Sequence, residues 1–284
     1  MTAPTTVEDS LSALATLRRS STKTRRGALF PTDPKPWLVT TLVVAITVTV
    51  FVVWEALAQA GLINTFFWSS PSAIWKSGVT TLTHGTLIED TLFTFTSTIW
   101  GFVIGVIGGA AIGLSFWWSR LYWKVAEPLL IVFEAMPKLA LAPMIVLAFG
   151  IGIASKVAVA TALVIVIQTL NTSSAVARVD RDLQTLMYSL GASKLQVFGK
   201  VVLPSTVPSI LSSFRVAIGL ALTGAIVGEY MGSEHGLGKT VQMAAANFDI
   251  AQIWVGVFAL AILSMVLYLV IVVIERLVRH LIEH

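Results

Sequence analysis

The sequence predicts an all-α, polytopic membrane protein with six transmembrane helices, and three observations predict it. Hydrophobic residues make up 56% of the 284 positions and charged residues only 12%, with a mean hydropathy of +0.84. That is more apolar surface than a water-soluble domain of this length can hide. Apolar runs near 37–59, 90–117, 126–150, 154–176, 207–231 and 251–275 each reach the roughly 20 residues a helix needs to cross hydrocarbon. Every run is continuous, so the ten-residue alternating pattern of a membrane β-barrel is absent.

Residues 1–36 are rich in Ser, Thr and Arg, with little helical apolar period beyond Leu11, Leu14 and Leu17. They read as a flexible cytoplasmic tail ahead of a transmembrane domain over 37–284. Ala56-Leu57-Ala58 resembles a signal cleavage site, but the apolar run before it exceeds the roughly 7–15 residues of a signal core, so span one is expected to stay. Basic residues set the orientation. With the amino terminus inside, Arg18, Arg19, Arg25, Arg26, Arg120, Lys124, Arg178, Arg181, Lys194, Lys200 and Arg276 fall on the cytoplasmic side, against Lys76, Lys156 and Lys239 outside. Both termini are then cytoplasmic.

After span one, Asn64 to Leu82 combines a Ser-Ser-Pro-Ser helix start with Phe66, Phe67, Trp68 and Trp75, which suit a helix at the outer membrane boundary. Span two sets Gly101, Gly105, Gly109 and Gly113 four residues apart on one helical face, predicting a tightly packed helix pair. Span three carries Pro128, Pro137 and Pro143 along with Glu134 and Lys138. The prolines loosen the helix, and the two charges four apart either clasp each other or face a polar pathway.

Between spans four and five lies LQTLMYSLGASKLQVFGKVVLP, Leu183 to Pro204. Leu183, Leu186, Met187 and Leu190 recur at helical spacing, Gly191 is placed to end that helix in a left-handed turn, and Ser193 is placed to cap a second one running to Val202. The prediction is a helix–turn–helix elbow on the cytoplasmic side, within a loop of about 178–206. Its leucine stripe offers an anchor for a groove on a partner.

That segment resembles the cytoplasmic coupling loop of permease subunits in bacterial type I ABC importers. Gly191, Val201, Leu203 and Pro204 stand at the spacing of the family pattern, while Thr185, Leu186 and Met187 replace its Glu-Ala-Ala. SSPSAIW, MPKLALAPMIVLAFGIG and GSEHGLG extend the likeness from about residue 64 onward. They are similar to segments of the branch that imports nitrate, sulfonate, taurine and pyrimidine precursors. The resemblance implies a non-catalytic permease subunit, paired with a second copy in the cell membrane. Two ATP-binding subunits would hold ATP and Mg, and an extracytoplasmic binding protein would deliver the solute. It assigns ATPase coupling to the loop residues Leu186, Met187, Leu190, Gly191, Ala192, Lys194, Leu203 and Pro204.

Polar residues within the spans are the candidates for a solute pathway: Glu134, Lys138, Gln168, Asn171 and Glu229. Ordinary interhelical hydrogen bonding is the other reading of Gln168 and Asn171. Gly232 to Thr240 misses the phosphate-binding loop by one residue, with five residues instead of four before Gly-Lys-Thr. It reads instead as a turn and short helix at the outer mouth, with Glu229, Glu234 and His235 facing water. The four histidines lack metal-ligand spacing, cysteine is absent, and no nucleophile elbow is present, so neither metal chemistry nor catalysis is expected. Nucleic acid is not an expected partner. The rival class is an ion-gradient transporter or channel acting alone, which would call for an inverted repeat; the hydropathy has none.

Overall fold

The computed structural model describes residues 35–282, so the expected tail over 1–36 lies almost wholly outside the described residues. The chain divides into a first unit ending at Ala56 and a second from Leu57 onward. The first unit holds most of α1 (Pro36–Gln59), a helix apolar around its whole circumference. At 1.5 Å per residue its 24 residues extend about 36 Å, enough to span hydrocarbon.

The second unit is helical throughout, with no strand among the described residues. α2 (Thr65–Trp68) and α3 (Pro71–His84) occupy the stretch over which a helix is expected. Ser70 caps α3 by accepting from the Ala73 N–H, and Pro71 occupies a first-turn position where its missing N–H costs nothing. α4 (Leu87–Ser115) ends in a 3₁₀ turn, Phe116–Trp118, and α5 (Arg120–Ala135) follows. A second 3₁₀ turn, Lys138–Leu141, leads into α6 (Ala142–Phe149). After α7 (Ile153–Ala177) come the short α8 (Arg181–Ser189) and α9 (Lys194–Val197). A single π turn, Phe198–Val202, joins α9 to α10 (Leu203–Tyr230), and α11 (Leu237–Ala246) and α12 (Ile250–Ile282) complete the chain.

Among the described residues, five helices are long and apolar enough to cross a membrane, and α5 with the α6 segment makes a sixth if the two form one broken span. Span three is therefore not one continuous helix. It bends by 80° at Met136–Pro137, where Pro137 drives the residue before it into extended backbone (Met136 ψ 140). Glu134 and Lys138 still meet, Nζ to Oε2 at 3.1 Å, but across the break rather than along a helix face.

α7 is the central helix, packed against both α4 and α10. The four glycines of α4 make the close approach. A Cβ on Gly101 would lie 2.3 Å from Ala160 Cβ, and one on Gly113 would lie 2.6 Å from Thr172 Cβ. From the opposite side Gly224 of α10 comes so near that a Cβ there would sit 2.6 Å from Ala160 Cα. Ala160, wholly buried, is thus gripped by a glycine from each neighbour. Phe102, Val106, Val164, Ala217, Ala221 and Leu222 continue this core, and α12 adds Leu263, Leu267 and Ile271. These last recur every four residues, so α12 buries one stripe and turns Ile262, Met265, Leu269 and Val273 outward, as a lipid-facing helix does.

Candidate functional site

The elbow forms as its residues dictate. Asp180 caps α8 through the Asp182 N–H (2.7 Å), and Gly191 takes the left-handed conformation at φ +82° that ends the helix. Ser193 then opens α9 with a reciprocal capping box: the Gln196 N–H donates to Ser193 Oγ (3.3 Å) and the Ser193 N–H to Gln196 Oε1 (2.7 Å). Leu183, Leu186 and Leu190 are exposed, Leu190 to 75%, and Leu195 continues the apolar surface past the turn. The opposite face of α8 carries Arg181, Gln184, Thr185 and Tyr188, which line a cavity against the body of the protein.

Two attachments keep the elbow from swinging. α9 runs through the π turn into α10 as one 37-residue stretch, Lys194–Tyr230, with the Leu203 N–H bonding five residues back to Phe198 C=O. Pro204 has no N–H to give, which fits this wider turn immediately before it. The second attachment is to the end of α4. Lys194 Nζ donates to Trp118 C=O (2.7 Å) and lies over the Trp117 and Trp118 rings, 5.6 and 5.2 Å from their centres, while Trp117 Nε1 donates to Gln184 Oε1 (3.2 Å). Lys194→Met is expected to loosen this tie by about 1 kcal/mol, the scale of a solvent-screened charged hydrogen bond. Faster hydrogen exchange over 181–202 than in the wild type, with α7 unchanged, would register it.

The pathway candidates fall in different places. Glu134 and Lys138 pair at the break after α5, partly exposed. Asn171 is half-buried on α7. Gln168 is wholly buried and bridges helices: Ser213 Oγ of α10 donates to its Oε1 (2.8 Å), and its Nε2 donates to Thr172 Oγ1 (3.2 Å).

Glu229 does not face water; it is wholly buried beneath the start of α11. Three consecutive amides there, which a helix start leaves without backbone partners, are each bonded by a side chain. The Gly236 N–H donates to Asp90 Oδ1 (2.8 Å), Leu237 to Thr94 Oγ1 (2.9 Å) and Gly238 to Glu229 Oε2 (2.7 Å). Thr94 in turn donates to Glu229 Oε1 (2.8 Å), and Thr86 and Thr240 donate to Asp90 Oδ2 (2.6 and 2.9 Å). Two carboxylates thus sit at the positive end of α11. Lys156 is buried as well. Its Nζ donates to the carbonyls of Ile151 (2.5 Å) and Gly232 and to Ser155 Oγ (3.3 Å), tying the turn after α10 to the start of α7.

A stripe of small and polar residues on α10 was not singled out in the sequence. Ser205, Ser212, Gly219 and Thr223 are exposed along one side of a span that is otherwise apolar or buried, and Arg215 lies beside them with Nε donating to Glu275 Oε2 (2.9 Å). Their spacing of seven, seven and four residues, which keeps them on one helical face, is the signal that marks them.

Residues 101–284 match the family described as binding-protein-dependent transport system inner membrane component. The chain belongs to this family. Among its relatives is the formylaminopyrimidine transport permease protein ThiX of Halalkalibacterium halodurans, 35% identical over 58% of this chain and 66% of that protein. The riboflavin transport system permease protein RibX of Chloroflexus aurantiacus is 30% identical over 80% of this chain and 84% of that protein. The taurine transport system permease protein TauC of Escherichia coli is 24% identical over 83% and 88%. These are ABC importer permeases, the non-catalytic subunits, as expected for the nitrate, sulfonate and taurine branch. The fold agrees with a solved inward-facing MetNI methionine ABC transporter chain at a TM-score of 0.55 and 18% identity, over 68% of this chain and 94% of that one.

Proposed function

We propose that this chain is the permease subunit of an ATP-driven importer, working as a homodimer whose elbows dock into two ATP-binding subunits. The observation that carries this reading is the elbow itself. Exposed leucines stand at a fixed turn that is continuous with a membrane-crossing helix, so displacement by a partner reaches the span without a slack joint. Leu186, Met187, Leu190, Gly191 and Ala192 form the docking knuckle, while Lys194, Leu203 and Pro204 hold it to α4 and α10. Both termini and the elbow lie on the cytoplasmic side, where the ATPases bind ATP and Mg, and an extracytoplasmic binding protein delivers the solute opposite.

The exposed stripe of α10 supports a wet pathway along that helix, with Glu134, Lys138 and Asn171 as further contacts. Serine, threonine and the half-exposed Arg215 suit a small polar or anionic solute. Gln168 and Glu229 serve the pathway by fixing α7, α10 and α11 around it. The relatives' solutes, a formylaminopyrimidine, riboflavin and taurine, are organic molecules of varied size and charge, so solute choice is assigned to the binding protein.

Co-expression with a neighbouring ATPase subunit tests the docking. The wild-type chain is expected to copurify with it. Leu190→Asp places a charge in the leucine face, and Gly191→Pro forces a residue fixed near φ −65° into a turn that needs φ +82°. Both are expected to lose the ATPase while remaining monodisperse in detergent. Retention of the ATPase by both variants at wild-type levels would overturn the assignment of the elbow.

A further inference from the structure

The cavity behind the elbow has a chemistry that transport does not use. It encloses about 480 Å³ between the turn after α4, the adjoining end of α7 and the non-leucine face of α8. Arg120 and Arg181 both line it, and no acidic side chain does. Among the described residues neither guanidinium takes part in the ion pairs Glu134–Lys138, Arg215–Glu275 and Glu89–His235. Asp180, beside Arg181, turns instead to the Asp182 N–H. Trp117, Trp123 and Tyr188 give the wall an aromatic part, and the rest is aliphatic or neutral and polar.

The geometry points to a binding site for the headgroup of an anionic phospholipid, its phosphodiester held between Arg120 and Arg181. Three features select a lipid over a free anion. The cavity lies where α4 and α7 end, the depth at which headgroups sit. Its tryptophans and tyrosine are the side chains that gather at that boundary, with apolar bodies against acyl chains and polar edges toward headgroups. Its volume exceeds what a lone phosphate fills and falls within the range of sites for small organic ligands. Basic pockets between spans on the cytoplasmic side recognise headgroups in this way. A bound headgroup braces α8 from behind while the leucine face stays open. The inference needs only that α4 and α7 cross a bilayer, and it stands whether or not the elbow docks an ATPase.

The test uses the purified full chain, alone, in detergent. Dioleoyl phosphatidylglycerol, dioleoyl phosphatidylcholine, glycerol phosphate or inorganic phosphate is added, and bound species are counted by native mass spectrometry. Phosphatidylglycerol is expected to be retained about tenfold more than phosphatidylcholine, and the double variant Arg120→Gln/Arg181→Gln is expected to remove that preference. Arg120→Lys/Arg181→Lys, which keeps the charges, should restore most of it and controls for folding. Equal retention of the two lipids, or an unchanged preference in the glutamine variant, would sink the proposal. Competition by glycerol phosphate or inorganic phosphate at the same concentration would replace the lipid with a soluble anion. Expulsion of the bound lipid by a copurified ATPase subunit would assign the cavity to an acidic group of that subunit. Leu190→Asp separates the two readings, because it should lose the ATPase and keep the lipid.

Discussion

Gly101→Leu is expected to leave almost no folded protein. The glycine faces Ala160 on α7, and an added Cβ alone would stand 2.3 Å from the Ala160 Cβ, an atom fixed to backbone that cannot turn aside. Relief requires α4 and α7 to separate, yet α7 is held from its other side by Gly224 of α10, so the separation would disturb three helices at once. Extra methylenes in a packed core typically cost about 1–3 kcal/mol, and a clash against backbone in a closed triple contact belongs at or above the upper end. Gly108→Ala is the control on the same helix. Its Cβ would meet only the Cδ1 end of Ile165 at 3.2 Å, which can rotate. Size-exclusion profiles of the two variants in detergent should show loss of the monodisperse peak for Gly101→Leu and a peak near wild type for Gly108→Ala. A normal peak for Gly101→Leu would mean that the α4–α7 contact is looser than described.

The second large effect is expected at Glu229. Replacing it with alanine removes the acceptor for the Gly238 N–H and leaves a void under α11. Thr94 can turn its hydroxyl to the Asp90 carbonyl, 3.0 Å away, so it is not stranded. One orphaned buried amide costs about 1–3 kcal/mol and the void adds to it, for a total of about 2–4 kcal/mol. Glu229→Gln keeps the shape and the acceptor for Gly238, and its amide can donate to Thr94 once that hydroxyl turns to the Asp90 carbonyl, but it loses the negative charge at the start of α11, so it should fall between wild type and alanine. Thermal unfolding of the three proteins should rank wild type, then Gln, then Ala. Limited proteolysis should open first near residues 231–249 in the alanine variant. Identical melting of all three would rule out Glu229 as the anchor of α11.

Where local chemistry decides the structure, the sequence discloses it. The glycine spacing of span two foretells a close helix pair, and Gly191 and Ser193 foretell a turn and a cap, because each depends on residues within a few positions. The identity of the partner helix does not follow from that spacing, since any helix with small residues would satisfy it. Glu229 shows the limit most sharply. Its partners Thr94 and Gly238 are 135 and nine positions away, and only the packing of α4 against α10 turns a seemingly wet carboxylate into a buried cap. Lys156 follows the same logic, reaching the Gly232 carbonyl 76 positions on. The break at Met136–Pro137 is a different case. Three prolines in one span announce a weak helix, but which of them interrupts it depends on tertiary support. Pro128 is accommodated inside α5 and Pro143 in the first turn of α6, leaving Pro137 at the bend.

The unbroken stretch from Lys194 to Tyr230 has a geometric consequence. Thirty-seven residues at 1.5 Å each make a rod about 55 Å long, with the leucine knuckle at one tip and the carboxylate-capped start of α11 at the other. Such a rod acts as a lever with unequal arms: tilting it by about 10° at Gly224–Gly228 would carry the distant knuckle by roughly 8 Å and the near α11 end by only about 1 Å. The fulcrum sits there because Gly224 and Gly228 rest on Ala160 and Lys156, which leaves the longer arm on the side of the knuckle.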